Sequence, residues 1–243
     1  MDAMAEDQPE PLPLREAWEQ HADDWTRCAR EPGHDSYWLF HRERFMELLP
    51  QPGMLTLDVG CGEGRVTRDL QARGHRVIGL DVSPTMVANA RAMDPDGEYR
   101  IADGAALPFG EGEADLVVAF MSLHDMDEMP AAVAEAGRVL ASAGRLCAAV
   151  VHPINSAGRF ESDEPGSPFA IKGSYYDRTR YSDTVERAGP PMVFHSRHWT
   201  IEDYSCALER AGLFIERVRE VADPTHPRWS RIPLFLHLRA RRD

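Results

Sequence analysis

Apolar residues fall along this chain in three successive rhythms. From about Leu14 to Leu49 they recur at helical spacing: Trp18, His21 and Trp25 stand three and four apart and share one helical face. Tyr37, Trp38, Phe40 and Phe45 continue this aromatic-rich stretch until Pro50-Gln-Pro-Gly53 breaks it. From Leu55 to Val151 short buried-strand patterns alternate with helix patterns, which predicts right-handed β-α-β units and a parallel sheet. After Val151 the rhythm fades. His152 to His198 mixes Gly, Pro, Ser, Asp and aromatics, with short strand-like patches such as Met192-Val-Phe-His195, and such irregular segments tend to be functional loops. Thr200 reads as the N-cap of a helix to Ala211, and Leu213 to Val221 and Ile232 to Arg239 read as the last two strands.

The middle region is organised by Leu55-Thr-Leu-Asp-Val-Gly-Cys-Gly-Glu-Gly-Arg-Val66, a strand that runs into glycines at 60, 62 and 64 before a helix start. Glycine there permits positive φ and the close approach of a ligand to main-chain N–H groups. The dinucleotide fingerprint needs its third glycine at position 65, which is Arg65, and no Gly-Lys-Ser/Thr follows for a Walker loop. A second strand, His75 to Asp81, ends in an acid about 20 residues on, where a carboxylate can accept ribose hydroxyls. Ser83-Pro84 supplies an N-cap and a first-turn proline. In open parallel sheets ligands lie outside the carboxyl ends of the strands where strand order reverses. Asp58, Asp81, Asp103 and Phe120 to Leu123 fall at such ends.

The spacing Asp58-x-Gly-x-Gly-x-Gly64 resembles motif I of the class I S-adenosylmethionine (SAM) dependent methyltransferases. So do Glu98 to Phe109, with its Asp103-Gly-Ala-Ala-Leu-Pro-Phe loop, the fourth strand Asp115 to Met121, and Arg138-Val-Leu-Ala-Ser-Ala-Gly-Arg-Leu146. The resemblance, to the methyltransferase type 11 group, implies a Rossmann-like, doubly wound α/β sheet of seven strands, mostly parallel, with an antiparallel edge hairpin and an N-terminal helical lid. It implies one domain: a flexible tail at 1–14, the lid at 15–50, the cofactor core at 51–151, an acceptor-pocket insertion at 152–199, and the last helix and edge strands at 200–243. It further implies that SAM is held by Asp58, Gly60, Cys61 and Gly62, by Asp81, Val82 and Met86, by Asp103, Gly104 and Ala105, and by Phe120 and Met121. Asp58 would hold the cofactor's amino group, and Asp103 would meet the adenine. Tyr37, Trp38 and Arg42 are the lid residues expected to reach the cofactor.

Charge narrows the partners. A net charge of −13 repels phosphate backbones, and no basic stripe stands out, so a nucleic-acid substrate is disfavoured. No run is long enough to span a membrane, and Met1 to Leu14 lacks the form of a signal peptide, so a soluble cytoplasmic protein is expected. The four cysteines are scattered, the tail Arg239-Ala-Arg-Arg242 reads as a solvated strand end, no metal site is expected, and a homodimer is left open.

The reaction expected is methyl transfer to a carbon, nitrogen or oxygen of a small molecule, an indole-like aromatic natural product being one acceptor that suits the insertion. Methyl transfer needs chiefly alignment of the reacting atoms, and a base only where the acceptor must lose a proton. His152 is the first choice for that base, directly after the fifth strand and fixed by Pro153. Tyr175, Tyr176 and Tyr181 could stack on or hydrogen-bond an acceptor, with His195 and His198 behind them; His124 is expected to shape the cofactor site. Two other readings stand beside this one: a nicotinamide-dependent oxidoreductase, and a non-catalytic partner protein that kept the fold.

Overall fold

The computed structural model describes residues 12–31, 35–185 and 192–243. The expected tail up to residue 11 and positions 186–191 of the expected insertion lie outside the described residues. In chain order the elements are α1 (Leu14–Gln20), α2 (Ala22–Arg30), a π-helical turn (Tyr37–His41), α3 (Arg42–Met46), β1 (Thr56–Val59), α4 (Arg65–Ala72), β2 (Val77–Asp81), α5 (Pro84–Met93) and β3 (Glu98–Ile101). There follow β4 (Ala114–Phe120), a 3₁₀ turn (Leu123–Asp125), α6 (Met129–Val139), β5 (Leu140–Val151), α7 (Pro153–Ala157), β6 (Gly158–Phe160), β7 (Phe169–Ile171), β8 (Arg180–Val185), β9 (Met192–Arg197), α8 (Ile201–Arg210), β10 (Leu213–Val221) and β11 (Phe235–Arg242).

Seven strands form one sheet in the order β10-β11-β5-β4-β1-β2-β3. All neighbours pair in parallel except β11, which runs antiparallel to both β5 and β10. Period-two alternation divides the core between the two faces. Val117 and Ala119 of β4 join Leu57, Ile78 and Leu80 under α6 and α8, where Val133, Tyr204 and Leu208 pack. Leu116, Val118 and Phe120 point the other way, onto Phe45, Leu48, Val66 and Leu70. Strand order reverses at β1, which has β2 on one side and β4 on the other, and the crevice opens there.

Several boundaries differ from those read in the sequence. Helix α1 begins at Leu14, inside the expected tail, because Leu14 is buried and its N–H donates to Asp127 Oδ2 at 2.9 Å. The last strand starts at Phe235 rather than Ile232, since Pro233 has no N–H for the ladder, and it runs on to Arg242 with Leu236, Leu238 and Ala240 buried. Its basic end is tied down: Arg239 pairs with Glu216 at 2.8 Å and Arg242 with Glu111 at 2.9 Å. The stretch after Val151 is more regular than its composition foretold, holding α7 and two small antiparallel hairpins, β6–β7 and β8–β9. Helix α8 carries a full capping box between Thr200 and Asp203.

Candidate active site

A cavity of about 630 Å³ lies at the switch point. Its floor is the glycine loop. Gly60, Gly62 and Gly64 all have positive φ, +75°, +55° and +86°. A Cβ on Gly60 would lie 2.3 Å from the Ser122 Cβ, so a side chain there would displace the end of β4, where the Ser122 hydroxyl donates to the Val59 carbonyl at 2.7 Å.

Three acids at strand ends meet around this loop, in three different states. Asp81 holds the loop: its Oδ2 accepts from the Gly62 N–H at 2.8 Å and its Oδ1 from the Ser83 N–H at 2.9 Å, each oxygen keeping a further lone pair. Ser83 in turn caps α5, accepting from the Met86 N–H at 3.0 Å. Asp103 accepts from the Ala105 N–H at 2.9 Å. Asp58 is almost wholly buried; Oδ2 accepts from the Thr67 hydroxyl at 2.6 Å, and Oδ1 is buried with no partner among the described residues. Burial pushes its pKa up to about 7, with the neighbouring Asp81 adding to the rise and the Thr67 hydrogen bond opposing it. Burial also raises Asp81, and holds Asp125 well above the usual carboxylate range although Ser196 donates to it at 2.7 Å. A buried acceptor without a donor, beside acids whose charged form burial disfavours, fits a ligand that brings positive charge and N–H or O–H groups.

All twelve residues expected to hold the cofactor line this one cavity: Asp58, Gly60, Cys61, Gly62, Asp81, Val82, Met86, Asp103, Gly104, Ala105, Phe120 and Met121. His124 and Tyr181 line it too. Burial holds the His124 pKa down to about 3, and raises Tyr181, with Asp125 contributing and Ser196 opposing.

None of the four residues expected to act in catalysis lines the cavity. His152 is spent on structure: Nδ1 accepts from the Ile154 N–H at 3.1 Å, capping α7, and Nε2 meets Glu220 Oε1 at 3.1 Å. The Tyr175 hydroxyl accepts from the Ile201 N–H at 3.2 Å at the start of α8, and Tyr176 is 71% exposed. His195 stacks on His21 at 5.1 Å, its Nδ1 meets the Ser182 hydroxyl at 2.9 Å, and its carbonyl accepts from Trp18 Nε1. His198 is held between Ser156 and the Tyr175 carbonyl.

The three residues expected to reach the cofactor from the lid pack elsewhere. Tyr37 is fully buried, its hydroxyl donating to Asp69; Arg42 also pairs with Asp69, and Trp38 is half exposed. None of the three lines the cavity, whereas Trp18, Trp25, Asp35 and His41 from the same segment do. Trp25 lies over the loop, 3.2 Å from where a Gly62 Cβ would stand. Arg65 is sandwiched between Trp25 and Tyr37, 4.8 and 4.5 Å from their ring centres, and pairs with Asp35, which it holds below the usual carboxylate range against burial. The helical spacing of Trp18 and Trp25 was the visible signal; their face is the cavity wall rather than plain core.

Fold and crevice thus define a doubly wound α/β protein with a cavity at its switch point, acidic on the side of the strand ends and aromatic on the other. Comparison with known proteins narrows the class. A family model described as a methyltransferase domain matches residues 57–148. Demethylmenaquinone methyltransferase of Beutenbergia cavernae is 30% identical over 194 residues, 79% of this chain and 76% of that one. 27-O-demethylrifamycin SV methyltransferase of Amycolatopsis mediterranei is 26% identical over 242 residues, 92% and 81% of the two chains. Against an uncharacterized methyltransferase of Synechocystis, 35% identical, the match covers 46% of this chain and the chain spans only 54% of that protein's length. Among solved structures, a SAM-dependent methyltransferase from Mesorhizobium loti superposes with a TM-score of 0.70 at 25% identity, covering 86% of this chain and 98% of that one. The chain belongs to the class I SAM-dependent methyltransferases, and SAM is the cofactor its family and fold imply.

Proposed function

We propose that this protein transfers a methyl group from SAM to a nucleophilic atom of a small organic molecule. The observation that carries the reading is the partnerless, buried Oδ1 of Asp58 beside the glycine loop, in the same cavity as Asp81 and Asp103. In this reading Asp58 accepts from the cofactor's amino group, Asp81 from the ribose hydroxyls and Asp103 from the adenine, while Trp25 closes over the loop. When bound, SAM supplies a methyl group already activated by its sulfonium. The protein's part is to hold the acceptor in line, at reacting distances of roughly 3–3.5 Å, and to keep water out.

The rest of the cavity wall describes the acceptor. Trp18, Phe120, Phe194 and Phe235 make it aromatic, with His41, Tyr181 and Asp125 as sparse polar groups, a lining that suits a flat, largely apolar molecule with few hydrogen-bonding groups. The relatives named for demethylmenaquinone and 27-O-demethylrifamycin SV support a small-molecule acceptor. A net charge of −13 speaks against a nucleic-acid strand in the same place.

The test is incubation with methyl-labelled SAM and a metabolite extract, followed by mass spectrometry. A labelled small molecule formed only with active protein is the expected result. No labelled product, together with no binding of SAM or S-adenosylhomocysteine in calorimetry, would overturn the proposal.

A further inference from the structure

One wall of the cavity carries a histidine, backed by a second, that is not among the residues assigned to the cofactor. The π-helical turn ends on His41, which is 1% exposed and lines the cavity. Such turns add a residue to the helical repeat, re-aim the side chains that follow, and are frequent at functional sites. The His41 ring lies flat on Phe235, with centres 4.0 Å apart and planes 9° apart, and tilts against Phe120 at the end of β4. Its Nε2 meets Nε2 of His237, a fully buried residue of β11, at 2.6 Å.

Only one proton can occupy that contact, so one ring donates and the other accepts. His237 indicates which. Its Nδ1 is buried without a well-formed hydrogen bond, and the polar main-chain group acting on the ring, at Arg44, favours the protonated form, as a carbonyl does. A carbonyl only accepts, so the His237 hydrogen belongs on Nδ1 and its Nε2 is the acceptor. His41 then donates through Nε2. Its Nδ1 is left as a bare lone pair, with no hydrogen-bond partner among the described residues.

We propose that His41 is the proton acceptor for the methyl acceptor, and that His237 is a positioning residue that fixes its tautomer. The inference rests on the methyltransferase reading and adds to it the class of acceptor. In the step, the acceptor's O–H bond breaks and its proton goes to His41 Nδ1. An electron pair of that oxygen forms the bond to the methyl carbon as the carbon–sulfur bond of the sulfonium breaks, its electrons staying on sulfur. The groups facing His41 are Arg65 from α4, His124 from the turn after β4 and His237 from β11, none of them a carboxylate. With burial, these hold His41 well below the ordinary histidine range, so it is neutral at working pH and a weak base. The flat aromatic faces of Phe235 and Phe120 beside the ring suit a planar acceptor, a phenol or an enol, whose hydroxyl also gives up its proton more readily than an aliphatic alcohol's.

The test uses the full chain labelled with ¹⁵N-histidine, free and with S-adenosylhomocysteine. Long-range proton–nitrogen spectra at pH 7 are expected to show His41 protonated on Nε2 and bare on Nδ1, with His237 protonated on Nδ1. The opposite tautomer at His41, or a charged ring, overturns the proposal. His41→Gln is expected to bind S-adenosylhomocysteine as the parent does, while incorporation of labelled methyl into phenolic products of a metabolite extract falls about 10²–10⁴-fold. Parent-like incorporation by that variant also overturns it. His237→Asn is expected to give a mixed His41 tautomer and an altered pH profile; a tautomer unmoved by this change removes His237 from the role. Because the spectra are read on the intact protein, they decide the matter even if a variant fails to fold. Failure of the parent to bind S-adenosylhomocysteine would instead strike the methyltransferase reading, and the spectra of the free protein separate the two.

Discussion

Two strands of the same sheet carry an ionisable side chain at or beside their carboxyl ends, and the two groups are wired in opposite ways. Asp58 on β1 has one oxygen on Thr67 and the other buried with no partner. His152, directly after β5, has both ring nitrogens satisfied, one by the Ile154 N–H and one by Glu220. Burial raises Asp58 toward neutrality and lowers His152 despite Glu220, so each is biased to its uncharged form. The difference lies in what is left over. A strand end offers a place for chemistry, but only a group with an unspent lone pair or proton facing open space can act on a ligand.

The largest effect that separates the two corners is expected at Asp58. Asp58→Ala should weaken S-adenosylhomocysteine binding about 10²-fold or more, the loss typical of truncating one partner of a buried charge pair, as read by calorimetry. Parent-like affinity would erase the distinction drawn above.

The same residue has a pH signature of definite sign. Its pKa is about 7 in the folded protein and that of an ordinary aspartate, about 4, in the unfolded chain, so between these values the native state holds the extra proton. The Asp58 contribution to the stability of the cofactor-free chain is therefore greatest below about pH 4 and is lost as pH rises to about 7. Thermal melts across that window should fall less steeply for Asp58→Asn than for the parent. The variant should be the more stable of the two at pH 8 while binding cofactor worse.

Trp25→Ala removes the ring that covers the loop and stacks on Arg65, and should cost about tenfold in cofactor affinity, near the upper end of a desolvated cation–π contact. The effect of His152→Ala belongs to stability: a loss of about 1 kcal/mol from the α7 cap and the Glu220 contact, with turnover per folded molecule unchanged. A drop in turnover without loss of stability would restore it as a catalytic candidate. Tyr176→Ala, at an exposed position outside the cavity, should change stability by no more than about 0.5 kcal/mol and leave cofactor affinity as it was.

The sheet was legible in the chain because each strand and turn carries its own signal: the unbroken apolar run Leu116 to Phe120 of β4, the glycine loop, Ser83-Pro84 at the start of α5, and Thr200 at the start of α8. The acidic side of the cavity was legible for the same reason, since Asp58, Asp81 and Asp103 each sit at a fixed offset from a strand. The aromatic side was not. His41 reaches the cavity through a π-helical turn and a partner 196 residues away, and Trp18 is set by a hydrogen bond to the carbonyl of His195. Those are tertiary contacts with no local pattern. The surroundings of His152 were hidden because sequence gives position along a strand but not which atoms are already engaged, and Glu220, from β10, engages one of them.

The most direct measurement of the central claim is a calorimetric titration of the parent and of Asp58→Ala, Asp81→Ala and Asp103→Ala with S-adenosylhomocysteine. The account predicts micromolar-range binding by the parent, one molecule per chain, weakened by each of the three substitutions. Absence of binding by the parent, or the same affinity in all four proteins, would contradict it.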